Sequence, residues 1–98
     1  MSILSSIINA VINLIEGRPL TEAEMSAALD KKAAANPEKL DWRNSIVDLM
    51  KLVGLDSSLD NRKTLAAELG YTGLLDGSAE MNIWLHQRVL ERLSHSLK

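Results

Sequence analysis

Residues 2–16 have the sequence SILSSIINAVINLIE, which is the strongest pattern in the chain. At about 100° per residue, its eight large apolar side chains fall within an arc of about 180°, which predicts an amphipathic helix. Serine and asparagine fill the other side, and no charge precedes Glu16. The apolar face therefore needs a cover, which is the protein's own core, a second copy, another protein or a lipid surface. Its members are Ile3, Leu4, Ile7, Ile8, Val11, Ile12, Leu14 and Ile15.

Start and stop signals predict four more helices after this one. The first helix is expected to end at Gly17, with Pro19 preventing its continuation. Thr21 with Glu24 forms a capping box that opens a second helix through about residue 35. The other predicted helices cover about residues 42–53, 58–69 and 79–98. Their predicted caps are Asp41 or Asn44, Ser57 with Asp60, and Ser78, and their predicted stops are Gly54 and Gly70.

Apolar spacing indicates which helix faces are buried. The second helix is alanine-rich and carries two large apolar residues, Met25 and Leu29. The later helices have fuller stripes at helical spacing, and the loop at residues 71–77 adds Leu74 and Leu75. We predict an all-α fold, a small five-helix bundle with an amphipathic N-terminal helix. We expect residues 1–16 to form that helix as a semi-independent element and residues 21–98 to form a four-helix core. The predicted stripes are Trp42, Ile46, Leu49, Met50 and Val53; Leu59, Leu65, Ala66 and Leu69; and Met81, Leu85, Val89, Leu93 and Leu97.

Composition narrows the class of protein. A chain of 98 residues is expected to form one domain, and the absence of cysteine excludes disulfides and thiolate metal sites. The net charge of −2 is evenly spread, which disfavours a nucleic-acid-binding surface. The N-terminal apolar run is too short and too polar to span a bilayer and lacks the marks of a signal peptide. We therefore expect a soluble, cytoplasmic protein.

Three motifs resemble a small bacterial family. They are LDWRNSIVDL (Leu40–Leu49), DSSLDNRKTLAAELGYTG (Asp56–Gly73) and MNIWLH (Met81–His86). Together they are similar to the domain of unknown function number 3597. The resemblance implies five helices with a long flexible segment between the first two, whereas here only about residues 17–20 separate them. The family has no assigned activity, so the resemblance implies no catalytic residue.

The candidate catalytic and metal-binding side chains are sparse. His86 and His95 are nine residues apart on one helix, on opposite faces, so they cannot chelate one metal, and both are expected to be exposed. The chain has no Gly-x-Ser-x-Gly elbow and no phosphate-binding glycine loop. We expect no enzyme activity, no cofactor and no metal.

Tryptophan and arginine residues allow two interpretations. The rings of Trp42 and Trp84 either fill the aliphatic core or form a binding hot spot, and Arg43 is expected to pair with Asp41 or Asp48. The third and fourth helices either form a simple helical corner or imitate a helix-turn-helix. In that case Arg62 and Lys63 would occupy the base-reading positions.

The sequence favours a non-catalytic protein-interaction or assembly module. Its partner is another protein or a second copy, as a homodimer, held through residues 3–15. The alternatives are a weak nucleic-acid-binding helical domain and peripheral attachment to a membrane surface through the N-terminal helix. The candidate partner-binding residues are Ile3, Leu4, Ile7, Ile8, Val11, Leu14 and Ile15.

Overall fold

The fold is built from α-helices. A computed structural model describes residues 2–14 and 21–96, and within these ranges it contains five helices and no strand. The predictions for Gly17, Pro19, Ile15 and Leu97 lie outside the described residues. The all-α prediction is confirmed. The helices are α1 (Ile3–Leu14), α2 (Glu22–Ala35), α3 (Ile46–Leu52), α4 (Leu59–Glu68) and α5 (Ala79–Ser96).

The capping box at the start of α2 forms as predicted. The Glu24 backbone N–H donates to Thr21 Oγ1 at 3.2 Å, and the Thr21 N–H donates to Glu24 Oε1 at 3.2 Å. These bonds satisfy donors that a helix leaves unpaired at its first turn. Met25 and Leu29 are the buried residues of this helix, which confirms its thin apolar face.

The third helix is shorter than predicted. Its start near Trp42 was wrong, because residues 42–44 form a turn and α3 begins after Ser45. Ser45 Oγ accepts the Asp48 N–H at 3.1 Å and is the N-cap, so neither Asp41 nor Asn44 has that role. The Asp41 carboxylate accepts the Asn44 side-chain amide instead, which favours the turn. A turn followed by a helix keeps nearly the same apolar spacing as a continuous helix. The spacing therefore did not indicate that the helix begins only after the turn at residues 42–44.

The fourth helix starts one residue later than predicted, at Leu59, and its cap is likewise shifted by one residue. The Asp56 carboxylate accepts both the N–H and the hydroxyl of Ser58, and Ser58 Oγ then accepts the Asn61 N–H at 3.3 Å. Ser58 is therefore the N-cap in place of Ser57. Leu59 was predicted to be buried and is exposed. The predicted stop at Gly70 is confirmed by its φ of 83°, a left-handed conformation that glycine adopts without strain.

The core lies where α5 meets the other helices. Ser78 Oγ accepts the Met81 N–H at 3.3 Å, so the predicted cap of α5 is present. The α5 stripe is buried as predicted over its described part, and it packs with α1, α3 and α4. The α5 members of the core are Met81, Leu85, Val89 and Leu93.

Candidate protein-interaction surface

The first helix covers its apolar face with the chain's own core. Ile7 and Val11 are fully buried where α1 packs on α4 and α5. Ile3, Leu4 and Ile8 are half-buried against the same core. The Leu14 side chain and Ile15 lie outside what the structure describes. While α1 is docked, Ile7 and Val11 are inaccessible to a partner, and partner binding through the remaining predicted residues stays a prediction.

A distant carboxylate fixes the start of α1. Glu68, at the end of α4, accepts the backbone N–H groups of Ile3 at 3.0 Å and Leu4 at 3.2 Å. The next two N–H groups, of Ser5 and Ser6, donate to Ser2 Oγ and Ser2 O. The N–H groups of Ile3, Leu4 and Ser5 are three of the donors that a helix leaves unpaired at its N-terminus, and all three are satisfied here, while the Ser6 N–H makes the first bond within the helix. A carboxylate also complements the positive end of the helix dipole, so Glu68 holds α1 in one position along α4.

Trp42 anchors the contact between α2 and the turn before α3. Its ring is 4% exposed, and its Nε1–H donates to Asp30 Oδ1 at 3.1 Å. Arg43 Nη2 donates to Asp30 Oδ2 at 2.7 Å and its guanidinium lies 4.6 Å from the Trp42 ring centroid. The hydrogen bond from Arg43, with a smaller contribution from the Trp42 indole, holds the pKa of Asp30 below its ordinary value. The expected pairing of Arg43 with Asp41 or Asp48 is wrong, because the turn at residues 42–44 directs Arg43 toward α2.

His86 was expected to be exposed and is buried, with 6% of its surface accessible. Its Nε2 lies 2.7 Å from the Trp42 carbonyl oxygen. A carbonyl only accepts hydrogen bonds, so Nε2 carries a proton in this arrangement. His86 thus satisfies a backbone acceptor of the Trp42 turn, which is a structural role. His95 is exposed in the last turn of α5, as expected.

Arg62 is bonded within its own chain. Its Nε donates to the Ser57 carbonyl at 3.1 Å and its Nη1 donates to Asn82 Oδ1 at 2.8 Å. These bonds join the start of α4 to α5 and leave the guanidinium half-buried. An arginine that reads base edges needs a free planar fork of donors. The arrangement therefore favours the simple helical corner over a helix-turn-helix.

Four large apolar side chains are exposed on α4, in the loop before α5 and on α5 itself. Leu74 is 77% exposed and Ile83 is 59% exposed, and Leu59 and Leu75 are also exposed. Leu59 lies against Gly77, where a Cβ atom would collide with its Cδ1. Single exposed apolar residues are ordinary on protein surfaces, whereas a contiguous group indicates an interaction site.

An aromatic pair continues this group along α5. The ring centroids of Tyr71 and Trp84 are 4.9 Å apart, and the Arg88 guanidinium lies 5.5 Å from the Trp84 centroid. The Tyr71 ring lies across Gly73, immediately before Leu74. Tryptophan, tyrosine and arginine are the residues most enriched in binding hot spots. We call this group the α5 surface: Tyr71, Leu74, Leu75, Ile83, Trp84 and Arg88.

Charged side chains flank Trp84 on both sides along α5. The pKa of Tyr71 is raised, first by burial of its hydroxyl and then by the negative charges of Glu80 and Asp76. Backbone and hydroxyl hydrogen bonds from Ser78 lower the pKa of Asp76, which keeps that carboxylate ionised. Arg88 lies further along the helix. The surface thus carries two carboxylates near Tyr71 and the Arg88–Glu91 ion pair beyond Trp84.

Replacing Glu80 by glutamine is expected to lower the pKa of Tyr71 toward its ordinary value of 10.0, because one of the charges that raise it is removed. Ultraviolet titration of the phenolate measures this directly, since Tyr71 is the single tyrosine of the chain. The raised pKa favours the folded state below pH 10.0, and that contribution is lost as the pH rises through the folded pKa. Glu22→Gln on α2 is the control and is expected to leave the midpoint unchanged. Equal midpoints of the Tyr71 titration in wild type and Glu80→Gln would contradict an effect of the Glu80 charge on Tyr71.

Two clefts in the described part of the chain are small. A cleft of 190 Å³ beside Ile83 is lined by residues 44–47, Ala79 and Asn82. A second cleft of 210 Å³ lies beside Trp42 and Arg43. Both are below the range of about 300–1,000 Å³ that is typical of small-molecule sites. Such shallow clefts fit the edges of a macromolecular contact better than an enclosed substrate site.

Two further findings concern metals and membranes. Among residues 2–14 and 21–96, no group of three His, Cys, Asp or Glu side chains is placed to hold a metal ion. In the same part of the chain, every helix is too short or too polar to cross a membrane.

Comparison with known proteins identifies the family. The family model described as domain of unknown function DUF3597 matches residues 8–96. The chain belongs to the DUF3597 family. The solution structure of a conserved unknown protein from Rhodopseudomonas palustris is similar to this DUF3597 chain, with 36% identity and a TM-score of 0.74. The alignment covers 97% of this chain and 92% of that one. No curated protein matches it.

Membership confirms the family resemblance and the helical fold but brings no residue role with it. Neither DUF3597 nor the Rhodopseudomonas protein has a function stated in its description. The functional argument for this DUF3597 chain therefore rests on its surface. The loop leucines were named from the sequence, but the exposure of Ile83 was not predicted. The available signal was a large apolar residue about 200° around the helix from the buried stripe at Met81.

Proposed function

We propose that this DUF3597 domain is a non-catalytic protein-interaction module that binds its partner through the α5 surface. The observation that carries the proposal is the exposure of Leu74 and Ile83 beside the Tyr71–Trp84 pair. Exposed apolar residues next to stacked aromatic residues and an arginine combine apolar contact area with a hot-spot composition. A cysteine-free chain also needs no oxidising compartment for its fold, so we include the cytoplasm in the proposal.

Several side chains that an enzyme would use already have structural partners. Ser45 and Ser58 cap helices, and His86 donates to the Trp42 carbonyl. Their polar atoms are committed to holding the fold, which supports the non-catalytic part of the proposal. The bonds of Arg62 to its own chain and the burial of Ile7 likewise give less support to nucleic-acid and membrane binding.

Site-specific photo-crosslinking in the protein's own host cells tests the proposal. A benzophenone amino acid replaces Leu74 or Ile83, and the same replacement at exposed Ala34 on α2 is the matched control. We expect light-dependent adducts at the two α5-surface positions, with the attached polypeptide identified by mass spectrometry. Adduct levels no higher than those at the Ala34 position would overturn the proposal.

A stability measurement separates a binding role from a folding role. Leu74→Ser and Ile83→Ser are expected to leave the midpoint of thermal unfolding nearly unchanged, because both side chains are exposed. Each substitution is also expected to suppress crosslinking from a benzophenone placed at the other position: Leu74→Ser from position 83, and Ile83→Ser from position 74. A large drop in the unfolding midpoint would assign these residues to the core instead.

A further inference from the structure

Charges of opposite sign lie at equal distances on the two sides of Trp84 along α5. Glu80 and Arg88 lie four residues before and after Trp84, about 6 Å away along the axis on each side. At about 100° per residue, all three fall within one helix face about 80° wide. Reversing the direction of α5 therefore exchanges an acidic position for a basic one.

We infer that the α5 surface binds a second copy of this chain, with two α5 helices antiparallel about a two-fold axis at Trp84. The inference rests on the proposed function and names its partner. In this arrangement Glu80 of one copy faces Arg88 of the other, and the same pair forms again across the axis. Antiparallel packing also opposes the two helix dipoles favourably. A two-fold interface uses the same patch twice, so a self-complementary patch is what it requires.

The neighbouring charges are compatible with this register. Glu91 lies 3.5 Å from Arg88 within the chain, a long contact that leaves Arg88 available to a second carboxylate. Glu91 lies seven residues after Trp84, so in the dimer it faces the position seven residues before Trp84 in the other copy. That position is at the start of the other α5, where the helix dipole favours an acid. Asp76 is near that end, and the positive charge of Lys63 offsets it.

The apolar residues supply the contact area between the two charged pairs. Exposed Ile83 is next to Trp84 in the sequence, and exposed Leu74 and Leu75 follow Tyr71, whose ring lies 4.9 Å from that of Trp84, in the loop before α5. Central aromatic and apolar groups with charges toward the rim follow the usual anatomy of protein interfaces. Because the charged pairs are exposed, we expect association to weaken as the salt concentration rises.

Charge reversal in complementary variants tests the arrangement. Arg88→Glu gives a chain with two acidic positions, and Glu80→Arg gives a chain with two basic positions. Each alone places like charges across the axis twice, and we expect its dimer dissociation constant to rise about tenfold or more. An equal mixture of the two variants restores both opposite-charge pairs and is expected to form heterodimers with near wild-type affinity. Sedimentation velocity measures all three, and Lys31→Glu on α2 is the matched control.

The outcomes separate the inference from the proposed function. Recovery of dimers in the mixture supports the inference, and far-UV circular dichroism verifies that each variant is folded. A wild-type chain that stays monomeric over the accessible concentration range, or a mixture no more dimeric than its components, overturns it. In that case, adducts at Leu74 or Ile83 with a different polypeptide would still support the proposed function, whereas absent adducts would end both.

Discussion

Replacing Ile7 with alanine is expected to lower the free energy of unfolding by about 2–5 kcal/mol. Ile7 is fully buried between α1 and the helices on which it packs, so truncation removes apolar contacts and leaves a cavity. Urea denaturation followed by far-UV circular dichroism measures the change. For a domain whose total stability is about 5–15 kcal/mol, a loss of this size brings the fold near its limit.

Ile8→Ala is the matched control for this prediction. Ile8 is the next residue on the same helix and is half-buried, so the same truncation removes less buried surface. We expect it to cost clearly less than Ile7→Ala. Sedimentation of both variants is expected to match wild type, since neither residue belongs to the α5 surface. An Ile7→Ala variant with wild-type stability but altered self-association would show that α1 faces another molecule.

The apolar pattern of α1 does not identify the molecule that covers its apolar face. An apolar arc of about 180° specifies that a helix will be covered, and by how wide a surface, but not by which molecule. The structure answers for Ile7 and Val11 through their burial and through the Glu68 carboxylate, which accepts the first two N–H groups of α1. Glu68 is more than sixty residues away in sequence, so local patterns carry no sign of this contact.

Helix existence was predictable from the sequence, whereas several helix starts were not. Periodicity identified the five helices, and the Thr21 box and Ser78 cap were correctly placed because each has one candidate near its helix start. At α3 and α4 several polar residues compete for the cap. At α3 the Asp41 carboxylate is bonded to Asn44 and Ser45 is the cap, whereas at α4 the Asp56 carboxylate accepts the N–H and hydroxyl of Ser58, the residue that is the cap.

The candidate site was harder to predict because it depends on tertiary contacts. The buried position of His86 follows from the Trp42 carbonyl, which is available only because residues 42–44 form a turn. The α5 surface likewise depends on the Tyr71 loop folding back onto Trp84. Both tryptophans were predicted from the sequence to lie either in the core or in a hot spot; the structure buries Trp42 and leaves Trp84 half-buried against the core beside Tyr71.

Trp42→Ala is accordingly expected to lower the free energy of unfolding by about 3–5 kcal/mol. The ring is 4% exposed and fills the space between α2 and the turn before α3. Removing it opens a cavity and takes one hydrogen bond from Asp30, leaving that carboxylate with Arg43 alone. Urea denaturation followed by circular dichroism is the suitable measurement, because the substitution also removes a fluorophore.

Two further variants test what the Trp42 and Trp84 side chains each contribute to stability. Trp42→Phe keeps a buried aromatic ring but removes the donor to Asp30 and part of the buried indole volume, so we expect a smaller loss of stability than for Trp42→Ala. Trp84→Ala removes a half-buried ring and is expected to destabilise the chain less than Trp42→Ala while weakening self-association. If Trp84→Ala proved the more destabilising of the two alanine variants, Trp84 would be the structural tryptophan. The α5 surface would then lose the residue on which its two-fold axis is centred.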